Sequence, residues 1–552
     1  GQEPFKKHAV MYRKYFFVIL LAAVSFFVNN TSLPVDIMEA RNMVTAREMA
    51  EDGNWLIPTM NGDLRLEKPP LPTWVAAAVE TAVPDCLAAQ RIAPGIMGTV
   101  WAVCFFLLVR TISKDENLAL LSVMVFLTCY QVVLMGRTAT WDIYCHAFMT
   151  GAIYFITKGL TDDTGRKWIW FPSAGVMLGL SFLSKGPVAF YAMLLPMLIT
   201  STAMPGFSFR GKWDAVIVMI LLCAVTGGWW YAWIFAFHSN ETAAVIDKET
   251  GAWTGHNVRR WWYYWRFFAE TGIWAVLTLA TLAIFYWKKT IRNVRPYLFS
   301  VTWMVTALIL LSLLPEKKMR YLLPLMVPCS MCTASLLMHM RTGTDRASRI
   351  LFRANGMLSA VVIASLPAIL YVSGIITGMR FGVLCILFVM LACLILREVN
   401  RRNVMRFAAL IGCVFMLMEC LLLGGIGELF GNPERHSIHE TRNMKATSGM
   451  KMFHPSQESL RIELVYEAGR KILPLDLTDR KVVEEHLPFV LVSKADVRDV
   501  MSEDVLNNVD TARIGSFDDN KHPRGNKLYT GDFINNITII KKKTRHEQDK
   551  EL

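Results

Sequence analysis

Asp36 and Glu39 stand three residues apart just after the first apolar run of the chain, and Glu67-Lys68-Pro69-Pro70 follows before the next run. Ionisable side chains this close to hydrocarbon are costly unless paired or wet, so they mark a place where charge is handled. Similar groups recur at the ends of later apolar runs: Arg137 with Asp142, Ser184-Lys185-Gly186-Pro187, His256 with Arg259-Arg260, and Lys317-Lys318-Met319-Arg320-Tyr321 before Pro324. A carboxylate held there can orient an acceptor, take its proton or balance positive charge building at a sugar carbon. Cations converging from separate segments suit a phosphate or diphosphate headgroup. The prolines after Lys68, Lys185 and Tyr321 fix the entry of the chain into the next helix and so place these side chains.

Each group also has a plainer reading. A helix beginning at Pro34 would put Asp36 and Glu39 on one face near its positive end, and Asp36 could simply support that start. A single Lys or Arg at a span end can snorkel. Arg137 and Asp142 either shape a site as a pair or only cap a helix. The run Arg259-Arg-Trp-Trp-Tyr-Tyr-Trp-Arg266 could be an interfacial aromatic belt as well as a sugar-stacking surface. His256 with Glu67 could hold a divalent metal, but no two candidate ligands have ligand spacing within one element, and an ordinary hydrogen-bonding histidine is the simpler account.

The elements that must carry these residues are membrane spans. Of 552 residues, 53% are hydrophobic and 19% charged, with 17 Trp and 31 Phe. Mean hydropathy is +0.35. Apolar runs of about 16 to 24 residues recur from Arg13 to Gly424, each long enough to cross a hydrocarbon core of about 30 Å as a helix. About thirteen spans are expected, near 15–30, 91–110, 117–134, 141–158, 168–183, 186–203, 213–236, 271–288, 296–314, 321–340, 353–374, 380–397 and 404–424. Segment 69–84 is apolar but short and reads as a juxtamembrane or re-entrant helix. With that assignment Arg110, Lys158, Arg210, Lys288, Arg341 and Arg397 share the side of Lys6 and Lys7, as cytoplasmic loops should.

The net charge of +13 therefore reflects cytoplasmic loops and an outer face for anionic lipid groups, not nucleic-acid binding. The first apolar run lacks a small-residue cleavage pattern and is read as a retained span. The acids and cations above all emerge on the opposite, outer side, where they would line one cavity.

Beyond about residue 430 the apolar pattern stops. Lys471–Leu477, Pro488–Ser493 and Asn535–Ile540 read as strands, and Ala495–Val509 as a helix with Ser493 as N-cap. The fold expected is a polytopic α-helical membrane domain over 1–430, with juxtamembrane helices in 31–90 and a loop at 237–270, followed by a small soluble α/β domain over 431–552.

Taken in order, Asp36-x-x-Glu39, Glu67-Lys68-Pro69-Pro70-Leu71, Arg137 with Asp142, Ser184-Lys185-Gly186-Pro187, His256-x-x-Arg259 and Lys317-x-x-Arg320-Tyr321-Leu-Leu-Pro324 resemble the bacterial aminoarabinose transferases of lipid A. Those belong to the wider GT-C class that includes the dolichyl-phosphate-mannose protein mannosyltransferases. The likeness covers about 1–330. It departs at the first-loop acid, which in the family is usually followed directly by Glu and here reads Asp36-Ile-Met-Glu39.

The resemblance implies an inverting glycosyltransferase, a monomer in the bacterial inner membrane, with its C-terminal domain in the periplasm. The sugar would come from a polyprenyl-phosphate carrier and go to a lipid A phosphate or related glycan. Asp36 would lead as catalytic carboxylate, with Glu39, Glu67 and Asp142 beside it, Glu67 either positioning the acceptor or holding a metal with His256. Lys68, Lys185, Arg259, Lys317, Arg320 and Tyr321 would hold the donor phosphate. A protein O-glycosyltransferase acting on Ser/Thr is the alternative within the class. A flippase for lipid-linked sugars is the alternative outside it, suggested by the interrupted segment 69–84 but opposed by the single-face placement of charge and the lack of an internal repeat.

Overall fold

The computed structural model describes residues 2–162, 164–255, 257–374, 376–425 and 431–543. Packing divides the chain into two units, one of Gly1–Asn30, Leu66–Pro72 and Arg91–Gly424, the other of Thr31–Arg65, Thr73–Gln90 and Gly425–Leu552.

The first unit is helical, and the protein is a multi-pass membrane protein. Among the described residues seven helices are long and apolar enough to cross a membrane, or nine if each of two bent pairs is one span. Helices also stand at the remaining expected positions, Gln2–Phe27, Trp141–Thr161, Lys167–Lys185 and Leu195–Thr202. The first of these carries Arg13 and Lys14, the second Asp142 and Lys158, the third a lysine at each end, and the fourth runs for only 8 residues; none is among the seven. The count of thirteen therefore exceeds what length and apolarity alone license.

Polar side chains terminate these helices where the ends leave backbone groups unpaired. Asp115 accepts from the N–H groups of Asn117 and Leu118, and Asp345 from Ser348. Arg137 donates to the carbonyls of Val28 (2.6 Å) and Val24 (3.1 Å) and lies 3.9 Å from Glu419, so it caps the end of the first helix and takes no part with Asp142. Segment 69–84 is the 12-residue helix Leu71–Ala82, too short to span.

The second unit holds a hairpin, β1 (Thr59–Met60) with β2 (Asp63–Leu64), and a five-stranded mixed sheet. The sheet comprises β3 (Lys451–Pro455), β4 (Ile472–Leu475), β5 (Phe489–Ser493), β6 (Val509–Asp518) and β7 (Ile534–Lys542), in the order β4-β3-β5-β7-β6. β3 runs parallel to β4 and β5, and β7 antiparallel to β5 and β6. Every residue of β5 is buried, as a strand covered on both faces should be.

The expected helix over 495–509 is instead two short turns, Val497–Val500 and Glu503–Leu506. Ser493 ends β5, Asp496 caps the first turn, and Val509 already starts β6.

A boundary at 430 would leave 31–90 with the spans, whereas most of that segment packs with the C-terminal sheet. The Asn61 side chain pairs with the backbone of Ile472 in both directions, at 2.7 and 2.8 Å, and so extends the edge of β4. Lys471 bonds Asp52 at 2.6 Å, and Arg47 and Arg442 both reach Asp85.

Candidate active site

A cavity of about 380 Å³ opens in the first unit between the start of helix Trp141–Thr161, the end of helix Lys167–Lys185 and the segment 311–324. Asp142 lies in the first turn of its helix and is 1% exposed. The Lys185 ammonium donates to Asp142 Oδ1, and Arg320 Nη2 stands 3.8 Å from Oδ2. Two cations thus stand against this carboxylate, whose Oδ2 has no hydrogen-bond partner among the described residues, and Glu316 adds a second acid to the lining.

Local backbone geometry aims Lys185. It is the last residue of its helix, and Gly186 follows at φ 73°, ψ −151°, a conformation open in practice only to glycine. The chain then enters a π-helical turn, Phe190–Leu194, whose Tyr191 and Ala192 line the cavity. π-Turns of this kind recur at functional sites.

Tyr321 contributes both ring and hydroxyl. Its ring centroid lies 5.9 Å from the Lys185 ammonium and 5.7 Å from that of Lys318, within cation–π range. Its hydroxyl donates to Glu316 at 3.2 Å, and Lys318 pairs with Glu316 at 2.6 Å. Away from the charges the walls are apolar, with Val188, Ala192, Leu311, Leu314 and Pro324. A cationic end joined to an apolar sleeve suits an amphiphile with a phosphate head.

The segments 257–259 and 315–317 do meet. Val258 bridges Glu316 as an isolated β pair, Lys317 N–H donates to Asn257 O and Arg259 N–H to Pro315 O, each at 3.2 Å. The Lys317 ammonium donates to Arg259 O at 3.1 Å and to Leu314 O, with the residue 3% exposed. Burial lowers its pKa. Arg259 itself is exposed, and Glu67 pairs with Lys248 at 3.4 Å. Glu67, half-buried Lys68 and Arg259 are not among the residues lining the cavity.

His256 lies outside the described residues, and among those described no group of three or more His, Cys, Asp or Glu could hold a metal ion. Glu67 faces Lys248, and the reading of Glu67 with His256 as metal ligands falls outside the described residues.

Asp36 and Glu39 belong to the second unit. The helix there begins at Ile37, not Pro34, so Asp36 is its extended N-cap (φ −84°, ψ 171°), with Oδ1 accepting from Glu39 N–H at 2.8 Å. Asp36 is exposed whereas Glu39 is fully buried, so the two acids do not share a face.

Two residues at the cavity were not anticipated. His146 follows Asp142 by one helical turn, lines the cavity, and has a buried Nδ1 without a hydrogen-bond partner. Its i, i+4 spacing from Asp142 was the available signal. Glu316, which organises Tyr321 and Lys318, directly precedes the Lys317-Lys318 pair.

Comparison with solved structures settles the architecture. ArnT of Cupriavidus metallidurans bound to undecaprenyl phosphate superposes with a TM-score of 0.68, covering 95% of this chain and 97% of that one at 14% identity. The chain has the ArnT fold. The apo form of the same ArnT gives 0.66.

The family model for dolichyl-phosphate-mannose-protein mannosyltransferase matches residues 67–230. The undecaprenyl phosphate-α-4-amino-4-deoxy-L-arabinose arabinosyl transferases of Shewanella sediminis and Pseudomonas savastanoi pv. phaseolicola are each 26% identical to it. These alignments cover 54% and 60% of this chain and 54% and 62% of the relatives, so the chain matches little more than half of their length. The resemblance carried by the motifs, to a GT-C glycosyltransferase of the aminoarabinose transferase type, is borne out.

Proposed function

We propose that this protein is an inverting glycosyltransferase that moves a sugar from a polyprenyl phosphate to a phosphate of lipid A or a related glycolipid at the periplasmic face of the inner membrane. The observation that carries it is the cavity in which Lys185, Arg320 and Tyr321 gather at one end of an apolar sleeve, in a chain with the ArnT fold. The thirteen helical segments would all cross the membrane, and residues 431–552 would lie in the periplasm.

In the reaction an oxygen of the acceptor forms a bond to the anomeric carbon from the face opposite the carrier. The bond from that carbon to the carrier phosphate breaks, and the phosphate leaves with its electron pair. Lys185 and Arg320 would neutralise the charge that gathers on the leaving phosphate, so no general acid is required. Asp142 keeps both cations in place before the donor arrives and would share them with the phosphate afterwards. An acceptor phosphate is already ionised and needs no strong base. Asp36, whose Oδ2 makes no hydrogen bond among the described residues, is proposed from its motif as the carboxylate that orients the acceptor.

Transfer by the purified protein from a synthetic polyprenyl-phosphate sugar to a lipid A acceptor tests this reading. Turnover is expected for the wild type, none for Lys185→Gln, and strongly reduced turnover with donor binding retained for Asp36→Asn. Full activity in Asp36→Asn would remove that residue from the mechanism. Donor binding without any transfer, together with donor movement across vesicles, would replace the enzyme with a transporter.

A further inference from the structure

A second cavity, of about 420 Å³, lies in the first unit at the far ends of the helices that frame the first. Helix Val294–Leu313 lines the first cavity with Leu311 and starts beside the second, at Asn293. Helix Met326–Thr342 starts just after Pro324 of the first cavity and ends at the second with Ser335, His339 and Thr342. The 20 residues of Val294–Leu313 rise about 30 Å, the thickness of a hydrocarbon core, so the two cavities stand at opposite membrane faces.

The unspent hydrogen-bonding capacity of this second cavity is mostly that of donors. Among the described residues the side chains of Arg292, Asn293 and Thr342 make no hydrogen bond or ion pair. The acid in the lining, Asp115, accepts on Oδ1 from the N–H groups of Asn117 (2.8 Å) and Leu118 (3.2 Å) at a helix start, which offsets its charge, while its Oδ2 makes no hydrogen bond among the described residues. His339 Nε2 meets Asp345 Oδ1 at 3.0 Å, so this ring is already tied to an acid.

The rest of the wall includes Leu118, Ile291 and Met338, all apolar. Lys288 and Lys289 precede Arg292 on the same connection, and Arg341 closes the neighbouring helix, so the surroundings are basic. A free guanidinium and amide beside apolar side chains, at a membrane boundary rich in cations, match an anionic headgroup with its acyl chains.

We propose that this cavity binds the phosphate of a membrane phospholipid, with Arg292 and Asn293 donating to phosphate oxygens and Leu118, Ile291 and Met338 flanking the first carbons of the chains. The site is separate from the sugar-transfer cavity and does not depend on which sugar is moved. Inorganic phosphate shares the same chemistry and is distinguished by experiment.

The full chain, purified in detergent, is titrated with phosphatidylglycerol, with diacylglycerol, which lacks the phosphate, and with inorganic phosphate, and bound species are read by native mass spectrometry. Phosphatidylglycerol should be retained, diacylglycerol should not, and retention should fall about fivefold or more in Arg292→Ala and in Asn293→Ala, as expected for a lost charge-assisted bond. Both side chains are exposed, so unchanged thermal melting is the check that these variants are folded. Inorganic phosphate binding alone, with the same dependence on Arg292, would keep the anion site and overturn its assignment to lipid. Equal retention of phosphatidylglycerol by variants and wild type, or of diacylglycerol by the wild type, would overturn the site itself.

Discussion

Asp142 shows how one residue type can be legible while its role is not. Its position at a span mouth marks it as a site residue, but only the three-dimensional neighbours reveal a carboxylate shared between Lys185 and Arg320. Removing one partner of a buried pair leaves an uncompensated charge, at a cost of about 3–5 kcal/mol. Asp142→Leu and Lys185→Met should each lower the melting temperature, and the double variant should recover part of the loss; strictly additive effects would show the pair to be uncoupled. Glu316→Gln should loosen Tyr321 and Lys318, raising KM for the donor several-fold with a smaller change in kcat. A fall in kcat alone would place Glu316 in the chemical step instead. Asp85 carries a pH signature in the second unit. Burial alone would raise its pKa, yet Arg442 and then Arg47 outweigh burial and hold it below the ordinary value. A carboxyl lowered by folding stabilises above its unfolded pKa of about 4 and loses that contribution as pH falls towards the folded value. Acid should therefore weaken the wild type from about pH 4 downward, and Asp85→Asn should flatten that part of the melting profile.

At the scale of elements, the turn that ends helix Lys167–Lys185 aims the cation that the cavity needs. Gly186→Ala forces a side chain into a conformation that costs about 1–3 kcal/mol, so transfer should fall even though Gly186 offers no functional group. Wild-type kinetics in that variant would show that the turn does not set the position of Lys185. The β1–β2 hairpin is held similarly by single side chains. Glu48 accepts from Thr59 Oγ1 (2.7 Å), Asn61 N–H (2.5 Å) and Gly62 N–H (3.2 Å), across an Asn-Gly turn with both residues at positive φ. Asn61→Ala should speed amide hydrogen exchange at Ile472 and over the hairpin while leaving β5 unchanged. Strands β4, β5 and β7 were legible as short apolar runs, whereas β3 and β6 were not. β3 mixes Lys, His and Pro, and β6 alternates polar and small residues, so their strand character comes from pairing with neighbours.

For the whole molecule, the distribution of basic residues makes a topological prediction. Alkaline phosphatase fused after residue 543 should be active, and fused after Asn403 inactive; the reverse result would turn the proposed orientation inside out. Composition by itself determined that the chain is a membrane protein, because transfer of a helix into hydrocarbon depends on the residues of that helix and little else. The same local property located the apolar segments and the charged motifs at their ends. Tertiary structure decided which charges meet. It gave Asp142 to Lys185 and Arg320, spent Lys317 on carbonyl groups, turned Arg137 into a helix cap, and grouped Thr31–Arg65 with a sheet some four hundred residues away. Such pairings join residues far apart in sequence, and no local period or composition encodes them.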